Sequence, residues 1–317
     1  IKSIYKFLKP YQVLSLESTT YPGTCEDLIV PTLKKKFNLG KNFYLIYSPE
    51  REDPGNKLFK IKNIPKVVGG YSKNCLEVGN LVYSKIVKKT VLVSSLQTAE
   101  LIKIFENIYR SVNISLVNEL KMLSAKMNVD VFEIIKAAKT KPFGFQAFYP
   151  GPGYGGHCIP VDPFLLTWKA KKYNFKTKFI ELSGKINTEI TESICKKISE
   201  IIKKKSKQEV LVMGAAYKKN IDDYRESPAL KIFQYLNKAK IKFSYYDPYV
   251  HEVNSKQYSL KKKSIKNYKK KLEKYELILI LTNHDNIDYK VLQKNSKQII
   301  DTRGVYDFKK YRNVLSL

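Results

Sequence analysis

The sequence predicts an α/β chain in three parts: an α/β unit, a helical middle and a second α/β unit. Three observations carry that reading. Short apolar runs alternate with helical periods over residues 1–94. One apolar stripe at helical spacing then runs from Ala99 to Leu123. From Glu209 onward short strands return, the first two closed by Gly214 and by Asp247-Pro248. Strands that alternate with helices build a mostly parallel sheet.

Taken in order, the chain starts at Ile1 inside what reads as a helix. Residues 13–17 form a strand ending in Ser18-Thr19-Thr20, followed by Pro22-Gly23 and a helix through Leu33. Residues 43–47 are a second strand, closed by Ser48-Pro49-Glu50, and 66–70 a third, ending in Gly69-Gly70. Residues 74–87 read as a helix with Leu76, Val78, Leu81, Val82 and Ile86 on its apolar side.

From Ser95 the period lengthens. Ala99, Leu101, Ile102, Phe105, Ile108, Val112, Leu116, Leu120 and Leu123 make a helical stripe reaching about Met127, and a second helix covers 131–138. A Pro/Gly-rich segment, 141–163, precedes more helix from Phe164 to about Lys204, broken near 173–178. Strands follow at 209–213, 242–246, 277–281 and 298–300. Between the first two, Ser227-Pro228 supplies a capping hydroxyl and a proline at a helix's first position.

At 317 residues the chain is too long for one compact core, and 43% hydrophobic residues exclude wholesale disorder. No apolar run approaches the roughly 18 residues of a membrane-spanning helix, and no signal peptide opens the chain. Cys25, Cys75, Cys158 and Cys195 lie far apart without paired spacing, which argues against a disulfide scaffold and for a reducing cytoplasm. The net charge of +29 comes from 58 Lys and Arg against 29 Asp and Glu. Its lysine runs, at 34–36, 203–205, 261–263 and 269–271, sit among Ile, Asn and Tyr, the composition of an AT-rich genome. No zinc finger or RNP-type motif accompanies them, so a solvated surface accounts for the charge better than a nucleic-acid footprint.

The most informative stretch is Gly151-Pro-Gly-Tyr-Gly-Gly-His-Cys-Ile-Pro-Val-Asp-Pro163. Gly151, Gly153 and Gly156 match G-x-G-x-x-G, but no strand precedes them and two prolines stand where a phosphate-binding helix would begin. The loop instead delivers Cys158, with a carboxylate at Asp162. A lone cysteine is usually a buried small hydrophobe, which suits Cys25, Cys75 and Cys195. A glycine loop beside His157 can expose a thiolate, so Cys158 reads as a nucleophile. Zinc is disfavoured, because no second ligand pair exists.

At this loop the chain resembles the UDP-glucose/GDP-mannose dehydrogenase family. The resemblance runs nearly end to end, through Leu16-Glu-Ser-Thr-Thr-Tyr-Pro-Gly-Thr24, Tyr47-Ser-Pro-Glu-Arg51 with Pro54-Gly55, and the helix Ala99-Glu-Leu-Ile-Lys-Ile-Phe-Glu-Asn-Ile-Tyr-Arg-Ser-Val-Asn113 with Asn118-Glu119. It continues in Gly214-Ala-Ala-Tyr-Lys-Lys219 and Asp223-Tyr-Arg-Glu-Ser-Pro228. Lys141-Pro-Phe-Gly-Phe145 and the Cys158 loop look like the branch that oxidises UDP-N-acetylhexosamines. The UDP-glucose branch carries a lysine where this chain has Val161, and a second glutamate where it has Pro54.

The resemblance implies NAD as cofactor, a UDP-sugar as substrate, and oxidation of a C6 alcohol to the uronic acid, a precursor of surface polysaccharide. It implies a remainder of a Rossmann-type NAD domain at 1–94, a central helical domain at 95–204 with the cysteine loop, and a Rossmann-like UDP-sugar domain at 205–317. A homodimer or higher homo-oligomer is implied as well, with neither nucleic acid nor membrane as partner. Cys158 would capture the aldehyde as a thiohemiacetal and then a thioester. Lys103 and Asn107, four apart on one helix face, would stabilise oxyanions by that resemblance, although spacing alone favours a solvated lysine and a surface amide. Asp162 would work with a water, and Thr19 and Glu50 would line the hydride and water site. Tyr149, Gly155 and Lys218 would hold the nucleotide-sugar, and Arg225, with Thr19, the NAD. Arg303 is a further substrate candidate, for which a strand-end salt bridge is the competing reading. The family's opening strand and Gly-rich turn have no counterpart here, so the chain is expected to lack roughly a hundred amino-terminal residues. The alternatives are a decayed fragment of such an enzyme or a basic nucleic-acid binder.

Overall fold

Residues 1–52, 60–202, 208–270 and 272–315 are described by the computed structural model. Pro54 and Gly55, the lysines at 203–205 and Lys271 lie outside the described residues. Two compact units divide the chain: Ile1–Tyr109 with Val161–Thr177, and Arg110–Pro160 with Lys178–Leu317.

The first unit opens with a short helix α1 (Lys2–Tyr5) and strand β1 (Val13–Leu16). A π turn (Cys25–Ile29) leads into α2 (Val30–Leu33), followed by β2 (Tyr44–Tyr47), β3 (Lys66–Gly70), α3 (Lys73–Ser84) and β4 (Thr90–Val93). The sheet order is β1-β2-β3-β4. β1 with β2 and β3 with β4 are parallel, while β2 and β3 are antiparallel. Ser72 caps α3 by accepting from Cys75 N at 3.3 Å. That helix packs closely on the sheet, since a Cβ on Gly79 would stand 2.9 Å from Ile46 Cδ1 and 3.0 Å from Val68 Cγ1. Leu33, Phe43, Leu45 and Tyr47 centre the core on the other face. Strand β4 was not expected from the sequence. The apolar stripe is one helix, α4 (Leu96–Lys126), and its residues up to Tyr109 belong to this unit.

The second unit holds the rest of α4 and helix α5 (Val131–Ala138); α6 (Asp162–Ala170) returns to the first unit, and α7 (Lys178–Ile201) is again in the second. The break expected near 173–178 falls at Asn174, which takes the left-handed conformation (φ 53°) after one 3-10 turn. A parallel sheet follows, from β5 (Glu209–Met213), β6 (Lys242–Tyr246), β9 (Tyr275–Ile280), β10 (Ile299–Asp301) and β11 (Val314–Leu315), in the order β11-β10-β9-β5-β6. Helices α8 (Pro228–Lys238) and α9 (Tyr289–Asn295) and an antiparallel hairpin, β7 (Glu252–Ser255) with β8 (Leu260–Lys263), complete it. Val210 to Met213 and Leu277 to Ile280 are fully buried, as expected of strands covered on both faces. Ser227 caps α8 as the sequence suggests, accepting from Ala229 N at 3.3 Å.

Candidate active site

In the first unit the sequence motifs converge on one end of the sheet. Parallel pairing places the residues after β1, Glu17 to Thr19, beside those after β2, Ser48 to Glu50; Ser48 N donates to Leu16 O at 3.0 Å. Because β3 runs antiparallel to β2, its first residue, Lys66, starts at this same end. Lys66 is 8% exposed and lies 3.3 Å from Glu17 Oε2 and 3.4 Å from Glu50 Oε2. Burial pushes the Glu50 carboxyl up, but the Lys66 ammonium and the amides of Glu52 and Arg51 outweigh it and hold the group below its ordinary value. Tyr83 donates to Glu17 and lies 2.6 Å from Ser15 Oγ. Thr19 is half-buried.

Helix α4 supplies the next group. Glu100 is fully buried and accepts from Gly23 N and from Cys25 N (2.9 Å), which ties the segment after Thr19 to the helix. Burial pushes its carboxyl up. One turn on, Lys103 is half-buried. Asn107 Nδ2 donates to Asp162 Oδ2 at 2.7 Å, and both side chains are 6% exposed. Asp162 opens α6, where the helix N-terminus favours a carboxylate.

The glycine loop belongs to the second unit up to Pro160. Gly151 N donates to Asn118 Oδ1 (2.9 Å), Tyr154 N to Asn187 Oδ1 (2.6 Å), and Gly156 N to Arg225 O (3.1 Å). The Thr191 hydroxyl donates to Pro152 O at 2.8 Å. Crowding explains two of its glycines: a Cβ on Gly151 would stand 2.5 Å from Arg303 Nη1, and one on Gly155 2.8 Å from both Glu226 O and Tyr217 Cβ. The loop is thus clamped by protein on several sides. It carries Cys158, which is half-buried, and His157, which is exposed. The other three thiols are buried, with Cys195 pushed up to about 12 by burial and Cys25 pushed up as well.

Among the remaining expected site residues, Tyr149 is exposed and Lys218 half-buried on the turn after β5. Arg225 forks onto Asp223, its Nε 3.0 Å from Oδ1 and its Nη2 2.7 Å from Oδ2, while the arginine stays largely exposed. Arg303 is engaged by the protein itself. Its Nε donates to Leu281 O at 2.6 Å, its backbone N to Asp301 Oδ1 at 2.8 Å, and its guanidinium lies against Gly151. Lys121, 5% exposed, donates to Thr302 O at 3.0 Å beside a small cavity of about 30 Å³. Burial pushes the Lys121 ammonium down to about 7, partly opposed by Asp301.

Sequence reasoning passed over Lys66, Glu100, Asn118, Asp247 and His284. The available signal was a charged or amide residue inside an otherwise apolar element, as in Lys66 before Val67-Val68 and Glu100 beside Ala99.

A dinucleotide fits this chain in part. Open α/β sheets bind such ligands outside the carboxyl ends of their strands. That end of β1 and β2 presents the Thr19 hydroxyl and the Glu50 carboxylate. No G-x-G-x-x-G run lies between a strand and a helix among the described residues. No cluster of three or more His, Cys, Asp or Glu suited to a metal occurs among them either.

Comparison with known proteins gives three family models in succession. The UDP-glucose/GDP-mannose dehydrogenase NAD binding domain matches residues 1–87, the central domain 97–189 and the UDP binding domain 211–308. The chain is 32% identical to the UDP-N-acetyl-D-mannosamine dehydrogenase of Methanocaldococcus jannaschii, over 96% of this chain and 69% of that protein. It is 35% identical to a UDP-N-acetyl-D-glucosamine 6-dehydrogenase of Pseudomonas aeruginosa, over 78% and 60% of the two chains. Among solved structures, the UDP-N-acetyl-mannosamine dehydrogenase of Staphylococcus aureus superposes with a TM-score of 0.81 at 33% identity, covering 96% of this chain and 71% of that one.

Proposed function

The chain belongs to the UDP-glucose/GDP-mannose dehydrogenase family, a family of NAD-dependent nucleotide-sugar dehydrogenases, and from that membership we propose that it oxidises the C6 alcohol of a UDP-N-acetylhexosamine to the uronic acid. The observation that carries this reading is Cys158, a half-buried thiol held by a clamped glycine loop, in a chain whose other thiols are buried.

The chemistry that bound NAD would supply is hydride acceptance from the sugar carbon at each of two oxidation levels. The Cys158 thiolate adds to the C6 aldehyde: a C–S bond forms, the carbonyl π pair moves to oxygen, and that oxygen takes a proton. At the thioester level water attacks the same carbon, the C–S bond breaks, and the thiolate leaves. Lys103 and Asn107 donate to the developing oxyanion, with the amide aimed by its bond to Asp162. Glu50, kept ionised beside Lys66, orders the attacking water together with Asp162. Tyr149, Gly155 and Lys218 hold the nucleotide-sugar, while Arg225 and Thr19 hold the cofactor. Arg303, whose guanidinium lies against Gly151, is a further candidate for holding the substrate.

This reading includes a division into 1–94, 95–204 and 205–317 for cofactor, central and UDP-sugar parts. It includes a homo-oligomer, supported by Leu101, Phe105, Leu116 and Leu123, which α4 leaves exposed. No helix among the described residues is long and apolar enough to cross a membrane, and we place the enzyme in the cytoplasm, making precursors of surface polysaccharide. The test is product stoichiometry. Two NADH per uronic acid, with no free aldehyde, is the expected result; one NADH per sugar with accumulating aldehyde would refute the covalent route.

A further inference from the structure

Three neighbouring strands of the second sheet, β9, β5 and β6, end side by side. Past those ends sit Asp247 and His284, 1% and 0% exposed, with His284 Nε2 3.1 Å from Asp247 Oδ2. Asp247 Oδ2 also accepts from Ala215 N (2.7 Å) and Ala216 N (3.0 Å), and Oδ1 from Tyr249 N and Val250 N (both 2.9 Å). His284 Nδ1 accepts from Asn220 N at 3.0 Å. An imidazole nitrogen that accepts carries no proton, so the proton is assigned to Nε2 and points at Asp247.

One buried pair therefore holds both ends of the turn 215–220. Ala215 and Ala216 hang on the carboxylate and Asn220 on the imidazole. Between those anchors stand Tyr217 and Lys218. Tyr217 packs under the glycine loop, its ring 3.1 Å from where a Cβ on Gly156 would be. Burial alone would push the Asp247 carboxyl up, but the bonds from His284, Val250 and Ala216 hold it below its ordinary value, so the anchor is a carboxylate.

We propose that the Asp247–His284 pair is a positioning device for nucleotide-sugar binding, fixing the turn that presents Lys218 to the diphosphate and Tyr217 to the glycine loop. The proposal rests on the reading of Lys218 as a nucleotide-sugar ligand. The pair touches no ligand; it acts through the two ends of the turn. A neutral histidine suits this task because one ring can accept from a main-chain N–H and donate to a carboxylate at the same time.

The test compares His284→Asn, His284→Gln and His284→Phe with Lys218→Ala, reading UDP affinity by calorimetry and hydrogen exchange at the amides of Ala215, Ala216 and Asn220. Asparagine can keep the bond to Asn220, glutamine the bond to Asp247, and phenylalanine neither. His284→Phe should weaken UDP about tenfold or more and speed exchange at all three amides, with NAD affinity unchanged. His284→Asn should restore protection at Asn220, and His284→Gln at Ala215 and Ala216. A purely structural role would lower the unfolding midpoint in all three variants without this division between amides. Wild-type UDP affinity in His284→Phe, with Lys218→Ala impaired, would overturn the positioning role alone. Unchanged UDP affinity in Lys218→Ala would overturn the nucleotide reading of the turn. In that case wild-type protection of the three amides in His284→Phe would independently refute the positioning.

Discussion

Asn107 donates to Asp162 over 2.7 Å, and both side chains are buried although 55 residues separate them in sequence. The bond fixes one catalytic candidate by another, so each depends on the other for its orientation. Removing the amide leaves a buried carboxylate short of a donor, which costs about 1–3 kcal/mol. Asn107→Ala should lose that much unfolding stability. Asn107→Asp places two carboxyls at bonding distance, so its loss should be larger at pH 7 than at pH 5, where one of them takes a proton. Equal losses at both pH values, measured by denaturant unfolding, would contradict this pairing.

Cys158→Ser should bind the UDP-sugar as the wild type does and fail to release uronic acid, because a serine hydroxyl lacks the thiolate's nucleophilicity at neutral pH. Wild-type rates of NADH formation in that variant would remove Cys158 from the mechanism.

Lys218→Ala and Arg225→Ala should separate the two ligands. Losing a charge-assisted contact costs about 1.5–3 kcal/mol, roughly ten- to a hundredfold in affinity. The lysine variant should weaken UDP-sugar more than NAD, and the arginine variant the reverse. Direct titration of each ligand reads the difference, and equal effects on both would show the roles to be wrongly assigned.

Lys121 gives a prediction in pH. Burial holds its ammonium at about 7, below the roughly 10.4 of an unfolded lysine. Between those values the unfolded chain binds more protons, so this group adds stability as pH rises and takes it away as pH falls toward 7. Lys121→Met removes the titration. It should gain about 1–4 kcal/mol over the wild type at pH 6, with the gain shrinking toward pH 10. A gain that did not change with pH would refute the buried-ammonium account.

Much of the scaffold was legible because local physics and tertiary need agree there. The helical stripe from Ala99 to Leu123 became α4, the Ser227-Pro228 start became the capped α8, and the apolar run at Val210 became a strand buried on both sides. The hairpin of β7 and β8 was not, since Glu252-Val-Asn-Ser255 and Leu260-Lys-Lys-Lys263 are polar runs whose pairing comes from context. Nor was β4, a four-residue strand next to the change of period at Ser95. Among the candidate residues, motifs marked Cys158, Lys103 and Asp162. Lys66 shows as a charge in an apolar run, but its pairing with Glu50, like that of His284 with Asp247, has no local signature, because the partners follow other strands.

The central claim is the substrate, and the most direct measurement is kcat/KM for UDP-N-acetylglucosamine, UDP-N-acetylmannosamine, UDP-glucose and GDP-mannose under one set of conditions with NAD. A site that hydrogen-bonds a 2-acetamido group leaves its own polar groups unpaired with a sugar lacking it, and rejects that sugar strongly. The account predicts that one of the two N-acetylhexosamines exceeds both UDP-glucose and GDP-mannose by at least about a hundredfold. A preference for UDP-glucose or GDP-mannose would contradict it.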